Sequence, residues 1–235
     1  MKILREEKEL RLKGGLYQQT QVKMGFNSNG IEENKLSEEQ VARIFNTNTI
    51  VAEQNEKIDI DDIIETINHF TCFDYMLSIA EQPLTEKIIK MFHTLLKSNT
   101  SFSREDYFFL GGYKSRPNLA GDAVTAAPEN VEEEMKDLLN RYNTHAFAPL
   151  EKIIWYHYNF EMIHPFQGGN GQIGRMIIFK ECLRHEIYPF ILEQHRKETY
   201  IRGLNNYKVK SGYLVDACRY AQDMYEELIG FCLRR

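Results

Sequence analysis

The chain has 235 residues, of which 43% are hydrophobic and 27% charged, and its formal net charge is −5. This length allows a substantial core in one large domain or two small ones, and the composition is that of an ordinary globular protein. The negative net charge argues against a general nucleic-acid-binding surface, and no apolar run approaches the roughly 20 residues that span a bilayer.

The N-terminal segment and the cysteines indicate a cytoplasmic protein with reduced thiols. Residues 1–15 are charged throughout and lack the apolar stretch of a signal peptide. The four cysteines form neither a CxxC pair nor a zinc-finger spacing. We therefore expect a cytoplasmic location, with no membrane and no nucleic acid as partner.

Helical spacing dominates the chain, and we expect one mainly α-helical domain over residues 1–235, with N-terminal helices within 1–60. Ser37 is expected to cap the start of a helix, because Gln40 follows three residues later as in a capping box. Thr85 is expected to cap another helix. Further helices are predicted over 58–79, 84–96, 131–142, 149–160, from the glycine-rich turn to at least Glu186, 199–204 and 214–233.

Residues 111–130 differ from the rest of the chain. They are rich in Gly, Pro and small residues and show little helical period. A short β-hairpin or an ordered loop is expected there.

The most informative stretch runs from His164 to Arg175 and reads HPFQGGNGQIGR. A histidine near its working pKa can accept a proton. Glycines let backbone N–H groups approach an anion, and the first turn of the following helix offers unpaired donors and a positive dipole end. This order of histidine, glycine turn and helix start indicates a phosphate-handling site.

This stretch resembles the signature of the Fic (filamentation induced by cAMP) family, H-P-F-x-[D/E]-G-N-G-R-x-x-R. The matching residues are His164, Pro165, Phe166, Gly169, Asn170, Gly171 and Arg175. The resemblance extends roughly from Leu12 to the C-terminus. It implies the Fic fold, a helical bundle with a short β-hairpin flap beside the active-site loop and helix start at 164–175. It also implies transfer of AMP from ATP to a Ser, Thr or Tyr hydroxyl of a protein.

Carried over residue by residue, the resemblance makes His164 the general base for the target hydroxyl. Gly169, Asn170 and Gly171 would form the anion hole around the phosphates. Arg175 would bind the terminal phosphate with its bidentate guanidinium. ATP is then the substrate and an unidentified protein the target, while self-modification and homo-oligomer formation stay open.

Two positions of the expected nucleotide-binding loop depart from the signature. Gly168 stands where the family has the acidic residue that binds Mg²⁺, and Gln172 replaces its first arginine. Because Mg²⁺ prefers carboxylate oxygens, Gly168 is expected to weaken the binding of Mg²⁺ or Mn²⁺. The alternatives are therefore a catalytically impaired module that binds nucleotide or protein, or another phosphotransfer or AMP-removing activity.

A second motif lies upstream. Ser28 and Glu32 fit the inhibitory pattern of Fic proteins, [S/T]-x-x-x-E-[G/N], although Glu33 replaces the small residue. The resemblance implies that Glu32 pairs with Arg175 and places a carboxylate where the terminal phosphate of ATP would lie. A solvated acidic helix cap is the alternative, and residues 49–53 offer a second match to the pattern.

By the same resemblance, residues 111–130 correspond to the flap, a β-hairpin that pairs with the backbone of the target protein. Strand addition of this kind recognises an extended shape. Tyr113, Lys114 and Leu119 are the expected contact side chains, with a plain connecting loop as the alternative.

Overall fold

The computed structural model describes residues 2–121, 123–144 and 147–234, and these are mainly α-helical, which confirms the expected fold class. In chain order the helices are α1 (Lys2–Leu10), α2 (Leu16–Ile31), α3 (Glu38–Thr47), α4 (Ile60–Ser78), α5 (Glu86–Lys97), α6 (Val131–Tyr142), α7 (Leu150–Ile163), α8 (Asn170–Arg184), α9 (Lys197–Asn206) and α10 (Gly212–Leu233). Two short antiparallel strands are β1 (Leu119–Ala120) and β2 (Ala123–Val124).

Several helix starts follow the capping signals of the sequence. At the start of α3, the Gln40 N–H donates to Ser37 Oγ and the Ser37 N–H donates to Gln40 Oε1, which confirms the capping box. The side chains of Asp59 and Thr85 accept backbone N–H groups at the starts of α4 and α5. Helix α6 begins and ends at the predicted residues.

Helix α8 ends earlier than its apolar spacing predicts. The sequence predicts a helix to at least Glu186, whereas α8 ends at Arg184. Glu186 has a positive φ of 58°, and its N–H donates to Leu183 O while the Ile187 N–H donates to Cys182 O. These two hydrogen bonds form a Schellman motif, which terminates the helix.

Helix α8 is the central helix of the fold. Its residues 170–183 are all buried, and it packs against α2, α4, α5 and α7. The ring of Phe179 makes edge contacts with Phe73 and Tyr225 from two other helices. A helix enclosed in this way has a fixed position, so the loop that enters it is fixed as well.

Apolar side chains on two faces of α2 belong to two different clusters. Leu16, Met24 and Ile31 join the main core. On another face of α2, Val22 packs in a smaller cluster with Leu36, Val41 and Ile44. None of the helices in the described ranges is both long and apolar enough to cross a membrane.

The strands form the expected short hairpin within residues 111–130. Leu119 pairs with Val124, and Ala120 pairs with Ala123. Gly121 in the connecting turn has a φ of 58°, and Asp122 lies outside the described residues. The hairpin turn reaches the cavity described next.

Candidate active site

A cavity of about 280 Å³ lies where α2, α7, α8 and α9 meet the hairpin. Four residues of the two sequence motifs border it, namely Glu32, His164, Gly171 and Arg175. Apolar and aromatic side chains form another part of its wall: Ile31, Met162, Tyr200, Ile201 and Leu204. The cavity therefore combines a charged end with an apolar wall.

His164 follows directly after α7 and has a left-handed backbone, with φ of 51°. Its Nδ1 lies 3.3 Å from the carbonyl oxygen of Glu161. Burial, together with a smaller contribution from the charge of Lys114, lowers the pKa of His164 to about 4. The imidazole is therefore neutral at pH 7. A proton on Nδ1, donated to Glu161 O, leaves Nε2 as the proton acceptor.

The loop after His164 leads into the N-terminus of α8. Gly169 precedes the helix with φ of 79°, a conformation that favours glycine. No described side chain caps this end, and the first N–H groups of a helix lack intrahelical acceptors. At Gly171 a Cβ would overlap the Glu32 carboxylate and come within 2.9 Å of Arg175 Nη1. The helix start therefore offers donors and a positive dipole end to an anion.

Phe166 and Asn170 brace this loop from the inside. The Phe166 ring is fully buried and stacks on His93 with 4.2 Å between ring centroids. The Phe166 N–H donates to Asn170 Oδ1 and Asn170 Nδ2 donates to Phe166 O, both at 2.8 Å. Because both polar groups of the Asn170 side chain are engaged, only its backbone N–H remains for the expected anion contact.

Arg175 joins the two sequence motifs. It is 5% exposed. Its Nε donates to Ser28 Oγ at 3.0 Å, and its Nη2 donates to Ser28 O and Glu32 Oε1, each at 2.8 Å. Glu32 also lies against Gly171. The structure thus brings Ser28, Glu32 and Arg175 together, with the Glu32 carboxylate at the start of α8.

Glu32 is ionised and still accessible. Packing around the carboxylate acts to raise its pKa, but the Arg175 charge and hydrogen bond outweigh this and hold the pKa of Glu32 below its ordinary value. Its side chain is 39% exposed, against 5% for Arg175. The second match to the motif, residues 49–53, lies in a non-helical segment and does not border the cavity.

Gln172 is turned away from the cavity. Its side chain is fully buried, and its Nε2 donates to Asn29 Oδ1 at 2.9 Å and to Glu65 Oε2 at 3.0 Å. The amide group therefore links α8 to α2 and α4. The expected nucleotide contact does not fit the Gln172 side chain, whose NH₂ group is already bound.

Gly168 leaves space but supplies no ligand. The atoms nearest to a Cβ at this position would be ring carbons of Phe108 at 3.6 Å and Phe102 at 3.8 Å. The described residues contain no group of three or more His, Cys, Asp or Glu side chains that could hold a metal ion. Position 168 therefore offers a Mg²⁺ or Mn²⁺ ion no carboxylate oxygen, and we assign no catalytic step to a protein-bound metal.

Sequence reasoning missed a buried carboxyl group, that of Glu161, in the wall of the cavity. Burial raises the pKa of Glu161 to about 8, so this group is protonated at pH 7. Burial lowers the pKa of His157 to about 3, and the contact of 3.9 Å between the two residues is therefore no ion pair. A Cβ at Gly174 would lie 2.6 Å from Glu161 Oε1. A glycine inside a helix can mark a close contact with a neighbouring helix. Gly174 was therefore the one feature of the sequence that could have indicated this contact with Glu161.

Lys114 has a different place from the one expected. It is 4% exposed. Its Nζ donates to Asn118 Oδ1 and Thr125 Oγ1, both at 2.7 Å, and to Ile163 O at 3.1 Å. Burial lowers the pKa of Lys114 to about 8. The expected target contact is wrong for this side chain, because it instead joins the base of the hairpin to the end of α7.

The other two side chains expected to contact the target, Tyr113 and Leu119, differ in exposure. Tyr113 packs inward, with its ring 5.7 Å from Phe166 and Lys90 Nζ 4.2 Å from its ring centroid. Its expected contact role does not fit this partly buried position. Leu119 is 59% exposed on β1, so it stays a candidate for contact with a target.

Comparisons with known proteins agree with this geometry. Residues 83–181 match the model of the Fic/DOC family. Over 188 residues the chain is 25% identical to protein adenylyltransferase Fic of Nematostella vectensis, covering 77% of this chain and 42% of that protein. It is 26% identical over 188 residues to protein adenylyltransferase fic-1 of Caenorhabditis elegans, covering 77% and 35%. The chain therefore spans less than half the length of these relatives.

Solved structures show the same fold along nearly the whole chain. A Fic domain containing signaling protein from Bacteroides thetaiotaomicron has a TM-score of 0.79 at 20% identity, covering 99% of this chain and 95% of that one. Fic-1 from C. elegans has a TM-score of 0.73 at 20% identity, covering 97% and 71%.

Proposed function

We propose that the chain, whose residues 83–181 match the model of the Fic/DOC family, is a protein adenylyltransferase, which transfers AMP from ATP to a Ser, Thr or Tyr hydroxyl of a protein. The observation that carries the proposal is one cavity bordered by His164, Gly171 and Arg175. A proton acceptor thus lies beside donors and a cation suited to phosphates. The names of the relatives support AMP transfer.

In the proposed reaction, the phosphates of ATP lie at the first turn of α8, and the terminal phosphate binds Arg175. The target hydroxyl oxygen attacks the α-phosphorus, the bond to the bridging oxygen breaks, and pyrophosphate leaves. The hydroxyl proton passes to Nε2 of His164. Negative phosphates raise the pKa of a neighbouring histidine, so bound ATP would make His164 a stronger base than it is in the free protein.

We also propose that Glu32 inhibits this reaction. Its carboxylate is bound to Arg175 and lies at the start of α8, which is where the terminal phosphate would bind. Two anions cannot share this position, because each needs the same guanidinium and the same helix dipole. Removal of the Glu32 carboxylate should therefore free the site for ATP.

The proposal is tested with α-labelled ATP, Mg²⁺ or Mn²⁺ and intact-protein mass spectrometry. We expect more AMP on the Glu32→Gly protein than on its parent. Adding His164→Ala should slow transfer by about 10²–10⁴-fold, as loss of a general base does. Glu53→Gly is the matched control, since Glu53 is exposed in a non-helical segment and does not border the cavity. If His164→Ala transfers AMP as fast as Glu32→Gly alone, the general-base role is wrong.

Gly168 supports a second candidate, a nucleotide-binding module without efficient catalysis. Position 168 supplies no carboxylate, although the atom nearest to a Cβ there would be 3.6 Å away, which leaves room for a side chain. We therefore include Gly168→Asp in the Glu32→Gly background. AMP transfer only after Asp is introduced would favour the module, whereas transfer by Glu32→Gly alone would favour the inhibited enzyme.

A further inference from the structure

Lys97, at the end of α5, lies against the anion loop. It is 8% exposed. Its Cε would be 2.6 Å, and its Cδ 3.6 Å, from a Cβ placed on Gly169. Its Nζ forms an ion pair of 2.7 Å with Glu65 Oε1. The absence of a side chain at Gly169 therefore leaves the space through which Lys97 passes.

The charge of Lys97 acts on the cavity. Burial acts to raise the pKa of Glu32, whereas the charge and hydrogen bond of Arg175 lower it. The charge of Lys97 lowers it as well, by less than Arg175 does. That carboxylate borders the cavity at Gly171. Lys97 therefore adds positive charge to the site that holds the Glu32 carboxylate.

Gln172 leaves a buried acceptor without a donor next to Gly169. Its buried Oε1 has no hydrogen-bond partner among the described residues, and this atom would be 3.4 Å from a Cβ on Gly169. Glu65 binds Gln172 Nε2 with one oxygen and Lys97 with the other. An unpaired acceptor and a lysine therefore meet at the same glycine.

We infer that Lys97 is the second phosphate-binding cation of the site and acts at the Gly169 end of the loop, while Arg175 acts at the Gly171 end. The ligand class is a nucleoside di- or triphosphate. Lys97 would thus provide the positive charge that the arginine of the Fic signature provides at the position of Gln172. The inference rests on the nucleotide site of the proposed function. In the free protein Glu65 holds the ammonium group, whose flexible stem lets it turn toward a phosphate.

The test compares ATP, ADP and adenosine binding by calorimetry, with the Glu32→Gly protein as the parent. Lys97→Met should weaken ATP and ADP binding by about tenfold, the size of a charge-assisted contact, and leave adenosine binding unchanged. Lys97→Arg should retain most of the affinity for ATP. Lys87→Met is the matched control on the exposed face of α5, and it should bind all three ligands as the parent does.

Equal losses of ATP and adenosine affinity in Lys97→Met would overturn the inference, since they indicate a purely structural lysine. ATP affinity within twofold of the parent would overturn it as well. If Lys97→Met does not fold, the double variant Lys97→Met with Glu65→Gln replaces it, because it removes both charges of the pair. The same comparison of ATP with adenosine binding then tests the inference. Lys97-dependent ATP binding without AMP transfer in any variant would contradict the proposed function and support the inference.

Discussion

The loop from His164 to Gly169 is held on two sides by contacts of different kinds. On the hairpin side, the Lys114 N–H donates to Pro165 O and Asn118 Nδ2 donates to Phe166 O, both at 2.8 Å. On the α2 side, Glu32 forms an ion pair with Arg175 of α8, the helix that follows the loop.

The difference, on the function proposed above, is that a nucleotide replaces only the second contact. The hairpin side binds backbone carbonyl oxygens, for which a phosphate is no substitute because it is itself an acceptor. The α2 side places one anion on a cation and a helix N-terminus, and another anion can take that place. Under this proposal the shape of the loop stays fixed, and the anion bound beside it is exchanged.

The largest effect should follow from loss of the cation on the exchangeable side. Arg175→Ala leaves the buried Ser28 without its hydrogen-bond donor and the partly exposed Glu32 without its cation. We expect the free energy of unfolding to fall by about 3 kcal/mol, mainly because the Ser28 groups become unsatisfied. ATP affinity in the Glu32→Gly background should fall as well. Chemical denaturation and calorimetry measure the two effects. Arg175→Ala combined with Glu32→Gly should be more stable than Arg175→Ala alone, and the reverse order would contradict the pairing.

A smaller effect is expected on the fixed side. Lys114→Met removes the donor to Asn118, Thr125 and Ile163 O, so the free energy of unfolding should fall by about 2 kcal/mol. Because the Lys114 charge helps to lower the pKa of His164, that pKa should rise in the variant. NMR titration of the histidines measures it. Lys136→Met, at an exposed position of α6, is the control, and an unchanged His164 pKa in Lys114→Met would contradict the account.

The smallest effect is the pH dependence of the Glu32 contact. Since the folded protein lowers the pKa of Glu32, its ion pair stabilises the fold above the ordinary value of 4.5 and loses this contribution as the pH falls below it. A partly exposed pair contributes about 0.2–1 kcal/mol. The difference in unfolding free energy between the parent and Glu32→Gln should therefore shrink from pH 7 toward pH 3. A difference that is constant with pH would contradict an ionised Glu32 in the pair.

The parts of the structure that sequence could predict depend on local signals or on motifs. The capping box of Ser37 and Gln40 is complete within four residues of chain, and the hairpin follows from its Gly- and Pro-rich composition. The pairing of Glu32 with Arg175 joins residues that are 143 positions apart. It could be expected because both belong to motifs of the Fic resemblance.

The rest depends on packing that no local pattern records. Lys114 is surrounded in sequence by glycine, serine and arginine, which suggests exposure, but the end of α7 supplies its third acceptor. Gln172 is an unexplained departure in the sequence, and its partner Asn29 becomes visible only when α2 packs on α8. Lys97 likewise pairs with Glu65 only because α4 packs against α5.

The central claim is that the Glu32 carboxylate occupies the place of an ATP phosphate. Calorimetry of ATP and adenosine binding to the parent, Glu32→Gly and Glu53→Gly proteins tests it most directly. We predict that Glu32→Gly binds ATP at least about tenfold more tightly than the parent, equivalent to about 1.4 kcal/mol, while adenosine affinity stays the same and Glu53→Gly behaves as the parent. Equal ATP affinities in all three proteins would contradict the claim.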